Sequence, residues 1–245
     1  MSDPSAGSKN DPLTAVRVIP LGDSAITVQF GDEIDPRINA RVVAFAGKIA
    51  EQGWSGILDV VPTYRSITVH FDPLRWDSAD LTDRLTTLPR HATGAAESDG
   101  GLHDIPVLYG GEWGPDLEDV ARFAGLPPAD VITLHASVRY RVYMLGFSPG
   151  FPYLGLVPEQ LAMPRLPTPR PKVPAGSVGI AERQTGIYPT ATPGGWRVIG
   201  RTPASLYRKT GVNPFLLKAG DLVRFTPIDR DRFDHLSAEQ SHADH

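Results

Sequence analysis

The chain has 245 residues, 41% of them hydrophobic and 21% charged, with a net charge of −4 and no cysteine. The length and composition suit a globular protein of one large or two modest domains. The small negative net charge creates no electrostatic field that would attract the protein to nucleic acid or anionic lipid. The absence of cysteine excludes disulfides, thiolate metal sites and a cysteine nucleophile. There is no signal-peptide pattern, and the apolar runs are too short to cross a bilayer, so we expect a cytoplasmic protein that binds neither membrane nor nucleic acid.

The first part of the chain has the pattern of a small domain that mixes strands and helices. Residues 1–12 are predicted to be a disordered tail. Four short β-rich runs are predicted to be strands, at 14–19, 25–30, 56–61 and 66–71. One helix is predicted to begin with Asp35 as N-cap, before a proline, and a second to cover 78–88 with Ser78 as N-cap. The order ββαββα predicts an α/β sandwich over residues 13–92.

A small, polar, glycine-rich segment at 93–101 is predicted to be the linker to a second domain, over 102–230. Residues 231–245 are predicted to be a flexible tail. The second domain is predicted to begin with a strand at 102–108, helices at 115–124 and 128–135, and a strand at 139–147. Four later runs predict the short strands of a β-barrel: 176–180, 186–188, 196–201 and 221–227. The predicted fold class is therefore α+β.

Eight prolines lie between Pro149 and Pro174. Because proline has no N–H and a fixed φ, this stretch is predicted to contain neither a helix nor a central strand. Two alternatives remain, an ordered loop or a disordered linker. The stretch is rich in aromatic and aliphatic residues such as Phe151 and Leu154, which is unusual for a linker, so a packed, functional loop is favoured.

A match to the nucleophile-elbow pattern G-x-S-x-G occurs just before these prolines, at 146–150. In a serine hydrolase the N–H of the residue after the serine helps to form the oxyanion hole. That residue is Pro149 here, and it has no N–H to donate. The pattern is therefore not expected to be a serine active site. The histidines show no pair at metal-ligand spacing, so no metal site is predicted.

Polar side chains are concentrated in the region of the proline-rich stretch and the short strands after it. They are Arg165, Arg170, Lys172, Gln184, Thr185, Tyr188, Arg197 and Arg201. Cationic donors beside glycine-rich backbone are typical of a site for carboxylate or phosphate, and the alternative is ordinary surface charge. Gly194 and Gly195 either let a ligand approach the backbone closely or form a tight hairpin. His135 is a candidate general base or a cation at the C-terminus of a helix.

Three runs carry a family resemblance: RVYMLGFSPGFPYLGL (141–156), PRLPTPRPKVPAGSVGIAERQTGIYP (164–189) and TPGGWRVIGRTP (192–203). They resemble the B-subunit family of bacterial 5-oxoprolinase, also called allophanate hydrolase subunit 1, which includes the KipI inhibitor of a sporulation kinase. Two upstream runs fit the same family, IPVLYGGEWGPDLEDVA (105–121) and LGDSAITVQFGDEID (21–35). The resemblance covers nearly the whole chain apart from its ends.

The resemblance implies an N-terminal α/β domain followed by a cyclophilin-like β-barrel. It also implies a partner, the C subunit of 5-oxoprolinase (allophanate hydrolase subunit 2), in a hetero-oligomer that couples ATP hydrolysis to opening a small cyclic amide, 5-oxoproline, to glutamate. ATP with Mg is then used by the assembly, and no bound prosthetic group is expected. Two other functions stay open: inhibition of a sensor histidine kinase, and one half of a biotin-dependent carboxyltransferase of the urea carboxylase type.

Given this resemblance, candidate residues for the reaction can be named. The catalytic candidates are His135, as the base that activates water, and Lys172 and Arg201, as cations that either stabilise the anion or hold the carboxylate. The substrate-binding candidates are Arg170, Gln184, Thr185, Tyr188, Gly194 and Gly195. We expect these residues to form a site that is completed against the partner protein.

Overall fold

The computed structural model describes residues 16–88, 100–208 and 213–243. The chain divides into two compact units, residues 1–98 and 99–245. The tail predicted at 1–12 and positions 93–99 of the predicted linker lie outside the described residues. Within the described ranges, no helix has both the length and the apolar character needed to cross a bilayer.

The first unit is a four-stranded antiparallel sheet with two helices on one face. Its strands are β1 (Arg17–Pro20), β2 (Ala25–Gln29), β3 (Ile57–Pro62) and β4 (Ser66–Phe71), in the order β1-β2-β4-β3. Its helices are α1 (Pro36–Glu51) and α2 (Ser78–Thr87). Val28 and Val69 of the central strands are fully buried and share one core with Phe45 of α1 and Leu81 of α2. The predicted α/β sandwich is therefore confirmed.

The sequence places the start of α1 correctly and misplaces the cap of α2. Asp35 caps α1, because its carboxylate accepts a hydrogen bond of 2.6 Å from the N–H of Arg37. The prediction of Ser78 as the cap of α2 is wrong. Asp77 has the extended backbone of an N-cap and accepts a hydrogen bond of 2.7 Å from the N–H of Ala79, so Ser78 is already helical.

The second unit is built on a closed barrel of seven strands. The strands of this unit are β5 (Leu102–Tyr109), β6 (Arg139–Leu145), β7 (Pro152–Gly155), β8 (Arg170–Val173), β9 (Ser177–Ala181), β10 (Gln184–Ile187), β11 (Thr192–Gly194), β12 (Arg197–Arg201) and β13 (Leu222–Pro227). The order around the barrel is β10-β7-β6-β13-β5-β12-β9, and β8 pairs with β11 in a separate two-stranded sheet. All barrel neighbours are antiparallel except β13 and β5, which are parallel. The α+β class with a barrel is confirmed.

Three α-helices accompany the barrel: α3 (Leu117–Ala124), α4 (Pro128–Ala136) and α5 (Arg230–Ala243), and a short 3-10 helix covers Glu159–Leu161. Strand residues such as Ile105 and Ile180 form the main core with Val120 of α3 and Val131 of α4. A smaller aromatic core, which includes Phe151, Tyr188 and Trp196, joins Val173 of β8 to the barrel strands.

One prediction about the proline-rich stretch is wrong and another is confirmed. The stretch does contain a central strand, because β7 lies between β6 and β10 in the barrel. Pro152 is the first residue of β7, a position where a strand tolerates proline. The stretch is packed, as expected of an ordered loop, since Phe151 and Leu154 are buried.

The flexible tail predicted after Arg230 is also wrong over its described part. Helix α5 covers Arg230–Ala243, and Phe233 is buried against Trp113, with 5.0 Å between the ring centroids. The helix has little apolar character of its own, so its position depends on this contact with a residue that is distant in the sequence. A local pattern could not show that contact.

Candidate functional site

A groove on the second unit, which we call the Arg201 groove, has a volume of about 450 Å³, within the range of small-molecule sites. It is lined by residues of the β5–α3 turn, of the segments next to β9 and β12, and of α5, among them Trp113, Gly176, Arg201, Thr202, Phe233 and Gln240. Gly176 has a φ of +80°, and a Cβ at this position would lie 2.3 Å from the carbonyl oxygen of Thr202. Only glycine therefore fits this part of the wall.

Arg201, the last residue of β12, is the one ionisable side chain among the described residues that line the groove. Its Nε donates a hydrogen bond of 2.8 Å to the carbonyl of Ala175, and its guanidinium lies 5.2 Å from the ring centroid of Trp113. Partial burial lowers the pKa of Arg201 from its ordinary value, but an arginine still stays charged at neutral pH. Within the described ranges Arg201 forms no ion pair.

Helix α5 supplies one wall of the groove and is fixed there at two points. Phe233 packs on Trp113 near the start of the helix. Near its end, Gln240 Oε1 accepts a hydrogen bond of 2.8 Å from the backbone N–H of Ser205. Since the amide oxygen of Gln240 is used in this way, its Nε2 remains as a donor. The polar groups of the groove are therefore suited to an anion.

Two predicted site residues, His135 and Thr185, lie in the barrel core and do not line the groove. Both side chains are fully buried. His135 is in hydrogen-bond contact with Tyr109 Oη at 2.8 Å and with Thr185 Oγ1 at 3.0 Å, and its ring stacks on Phe225. Burial lowers the pKa of His135 to about 3, so the ring is neutral and is not a cation at the end of α4. The structure therefore places His135 and Thr185 in the barrel core, away from the groove, with no exposed surface to contact a bound substrate.

Arg170 is held by a buried carboxylate. Its Nη2 and Nη1 donate to the two oxygens of Asp116, at 2.7 and 2.9 Å, and Asp116 also accepts a hydrogen bond of 2.6 Å from the N–H of Val198. Asp116 is 3% exposed, so this bidentate ion pair fastens β8 to the barrel. The structure therefore gives Arg170 an internal partner where the sequence predicted a ligand.

The glycine pair at 194–195 also serves the packing of the protein itself. A Cβ on Gly194 would lie 2.4 Å from the hydroxyl of Tyr188, which is buried. The carbonyl of Gly195 accepts a hydrogen bond of 2.7 Å from the N–H of Leu166. Gly194 ends β11, whose partner is β8, so the second alternative, a tight hairpin between barrel strands, is not found here. The chain approaches itself closely at this pair.

The remaining candidates lie on different surfaces. Lys172 is exposed on β8, and Gln184 is half-buried on β10. Neither lines the Arg201 groove, so Arg201 is the one predicted site residue found there within the described chain. Ser148, of the G-x-S-x-G match, has a buried hydroxyl and no hydrogen-bond partner among the described residues, and it lies outside the groove as well.

Sequence reasoning misses several groove residues and one structural anchor. Trp113 stands in a glycine-rich turn, YGGEWG, which contributes to the sequence argument only through the family resemblance. Phe233 and Gln240 fall in a predicted tail. Asp116, which pairs with Arg170, looks in the sequence like an ordinary acidic residue at the start of a helix. An aromatic residue in a glycine-rich turn is the one available signal for the groove.

Comparison with known proteins gives the family. The family described as carboxyltransferase domain, subdomain C and D, matches residues 16–217. The chain is 43% identical over 235 residues to the B subunit of 5-oxoprolinase from Bacillus subtilis (strain 168), covering 90% of this chain and 96% of that protein. It is 42% identical over 209 residues to the B subunit of 5-oxoprolinase from Escherichia coli O157:H7, covering 84% and 94%. The chain therefore belongs to the carboxyltransferase subdomain C and D family, in its group of 5-oxoprolinase B subunits, and the predicted family is confirmed.

The fold recurs in a larger protein. The crystal structure of the Kluyveromyces lactis urea amidolyase matches 95% of this chain with a TM-score of 0.75 at 18% identity, and the match spans 17% of that chain. At this identity the likeness shows a common fold only. Helix α5 begins after residue 217, where the family match ends.

Proposed function

We propose that this chain is one half of a two-component enzyme that uses ATP and water to open the lactam of 5-oxoproline, giving glutamate. The observation that carries the proposal is the 43% identity to the B subunit of 5-oxoprolinase from Bacillus subtilis, over 96% of the length of that protein. In this proposal the partner is a homologue of the C subunit (allophanate hydrolase subunit 2), and the two chains form a hetero-oligomer in the cytoplasm.

The proposed reaction needs activation of the amide and stabilisation of negative charge. An unstrained lactam opens slowly in water, because its carbonyl carbon is a poor electrophile, and phosphorylation of the lactam oxygen by ATP removes that obstacle. Phosphoryl transfer to the lactam oxygen releases ADP; water then adds to the activated carbon, the C–N bond breaks with its electron pair going to nitrogen, and the phosphate leaves. Fixed cations stabilise the negative charge on the phosphoryl oxygens and on the departing phosphate. Lys172 and Arg201 are the accessible cations that this chain offers, either for this charge or for the carboxylate of 5-oxoproline, whereas His135 is buried.

Magnesium enters this proposal with ATP, bound by the phosphate oxygens. The described residues contain no cluster of three or more His, Asp or Glu side chains that could hold a metal ion. The proposed reaction uses no prosthetic group.

Co-expression with a homologue of allophanate hydrolase subunit 2 tests the proposal. The co-purified pair should release glutamate from 5-oxoproline only when ATP and Mg are present, and each protein alone should not. Omission of ATP is the control for spontaneous lactam opening. If a stable pair releases glutamate no faster than this control, the proposal is wrong. Sensitivity of any activity to avidin would indicate the biotin-dependent carboxyltransferase function instead.

A further inference from the structure

We propose that the Arg201 groove is a carboxylate-binding site carried by this chain alone, in which Arg201 binds the carboxylate and the aromatic wall formed by Trp113 and Phe233 receives the ring or chain attached to it. The identification of the ligand as 5-oxoproline rests on the proposed function. The existence of a carboxylate site rests on the geometry of the groove.

Two arginines beside the same tryptophan show why Arg201 is distinctive. The guanidinium groups of Arg201 and Arg230 lie 5.2 and 5.3 Å from the ring centroid of Trp113. Arg230 is exposed and forms ion pairs of 3.1 Å with both Glu112 and Asp234. Arg201 is half-buried and has no carboxylate partner in the described chain. A charge that has lost part of its hydration without gaining a partner is costly, and a bound anion would offset that cost.

The hydrogen bonds of Arg201 leave its two terminal Nη groups available to a carboxylate. The Nε group donates to Ala175, and the guanidinium carbon lies 5.2 Å from the ring centroid of Trp113. The two terminal Nη groups have no hydrogen-bond partner among the described residues, and together they match the spacing of the two oxygens of a carboxylate. A lysine at this position could not offer that pair of donors.

The rest of the groove can accommodate a small monoanion. No acidic side chain is found among the described lining residues, so no carboxylate of the wall competes with a bound anion for the guanidinium. A volume of about 450 Å³ accommodates a five-membered ring with its carboxylate. Trp113 offers apolar surface to the ring, with the buried Phe233 packed against it, and Gln240 offers an amide donor from α5. 5-Oxoproline has both features that this groove recognises, a flat ring and a carboxylate.

Titration of the full-length chain with two related probes tests the inference. 5-Oxoproline and pyrrolidin-2-one share the lactam ring and differ by the carboxylate. The chain contains four tryptophans, so the indole N–H signal of Trp113 can be assigned by comparison with Trp113→Phe. We expect 5-oxoproline to shift this signal with a dissociation constant at least about tenfold lower than that of pyrrolidin-2-one, because a charge-assisted bidentate contact is lost in the latter. The signals of Trp54 and Trp76, which lie in the other unit, should not move.

Three variants separate carboxylate binding from general damage. Arg201→Gln should weaken binding of 5-oxoproline by about tenfold or more and leave pyrrolidin-2-one unchanged. Arg201→Lys keeps the charge without the fork and should bind with intermediate affinity. Arg230→Gln is the matched control beside the same tryptophan and should bind like the parent chain. If Arg201→Gln does not fold, the comparison of Arg201→Lys with Arg230→Gln decides the question.

The outcomes separate this inference from the proposed function. Equal affinity for the two probes, unchanged affinity in Arg201→Gln, or tighter binding of inorganic phosphate than of 5-oxoproline would overturn the carboxylate site. In the co-purified pair, Arg201→Gln should raise KM for 5-oxoproline by about tenfold while the parent pair stays active. If the pair is active and its KM for 5-oxoproline is unchanged by Arg201→Gln, the carboxylate site is wrong and the proposed function stands. If the pair is inactive but this chain still binds 5-oxoproline through Arg201, the carboxylate site stands and the proposed function is wrong.

Discussion

His135 Nε2 donates its hydrogen bond to Thr185 Oγ1, over 3.0 Å, and this contact determines the tautomer of the ring. The hydroxyl proton of Thr185 is already used, because Oγ1 donates to the carbonyl of Gly179 at 3.0 Å. Thr185 must therefore accept from Nε2, so Nδ1 carries no proton and accepts from Tyr109 Oη at 2.8 Å. Burial raises the pKa of Tyr109, which keeps its hydroxyl protonated for this role.

The first prediction concerns this buried network. Thr185→Val keeps the shape of the side chain but removes the acceptor of His135, and a buried N–H without a partner costs about 1–3 kcal/mol. We expect the free energy of unfolding in urea to fall by that amount. Thr226→Val is the control, since Thr226 is exposed on the barrel strand β13, and it should leave the urea midpoint unchanged. An equal effect of the two substitutions would mean that the network contributes nothing to stability.

The second prediction is a pH dependence. The pKa of His135 is about 3 in the folded chain and that of an unfolded histidine is about 6.5, so below pH 6.5 the unfolded state binds more protons. The contribution of His135 to stability is complete above pH 6.5 and is lost as the pH falls towards 3, at about 1.4 kcal/mol per pH unit. Between pH 6 and 4.5 the parent should therefore lose roughly 2 kcal/mol more than His135→Gln. Parallel urea-unfolding curves for the two chains over this range would contradict the assignment of a buried neutral ring.

The third prediction compares two bidentate arginine–aspartate pairs, one formed by Nη1 and Nη2 of Arg170 and the other by Nε and Nη2 of Arg224. The pairs Arg170–Asp116 and Arg224–Asp104 are both bidentate, with distances of 2.7 and 2.9 Å in the first and 2.6 and 2.8 Å in the second. Asp116 is buried, whereas both members of the second pair are exposed. Arg170→Gln leaves a buried carboxylate without its cation and should lower the free energy of unfolding by about 2 kcal/mol.

Arg224→Gln serves as the control for that comparison. Surface pairs are screened by water and salt, so its thermal midpoint should stay within error of the parent. A loss of stability of the same size in both variants would show that burial of Asp116 is not what makes the Arg170 pair important.

The fourth prediction is a gain in stability in the first unit. Gly47 lies in the middle of α1, is exposed, and has no atom within 4 Å of the position where a Cβ would stand. Gly47→Ala should raise the free energy of unfolding by up to about 1 kcal/mol, because glycine loses more backbone entropy in a helix. Gly176→Ala is the opposite case, with a positive φ and a clash with Thr202, and it should destabilise the chain and perturb the Arg201 groove.

The elements that could be predicted from the sequence are those whose cause is local. The Asp35–Pro36 start of α1 and the β-rich runs that form β2 and β4 depend on neighbouring residues, and both predictions are confirmed. Helix α5 depends on the contact between Phe233 and Trp113, which no window of sequence contains. Strand β7 was missed because the rule against proline in a strand does not hold for its first residue, Pro152.

The candidate site was predicted in part, and the failures have a common physical reason. The sequence indicates which residues carry charge or hydrogen-bonding groups but not which of them find partners inside the protein. Arg170 and Arg201 look alike in the sequence. Only the fold shows that Arg170 pairs with Asp116 and that Arg201 lines an open groove. His135 and Thr185, which are 50 residues apart in the sequence, are hydrogen-bonded to each other in the buried core, so neither lies at the surface.

The parallel pairing of β5 and β13 has a consequence for how the chain must be made. β13 sits between β6 and β5, and it places Leu222 beside Leu102, near the beginning of the second unit. During synthesis the barrel strands before β13 can form only an open sheet, in which β5 and β6 are unpaired edges. Such edges can pair with other chains. A ribosome that stops before residue 222 therefore releases a product prone to aggregation, and we expect cellular quality control to act on it.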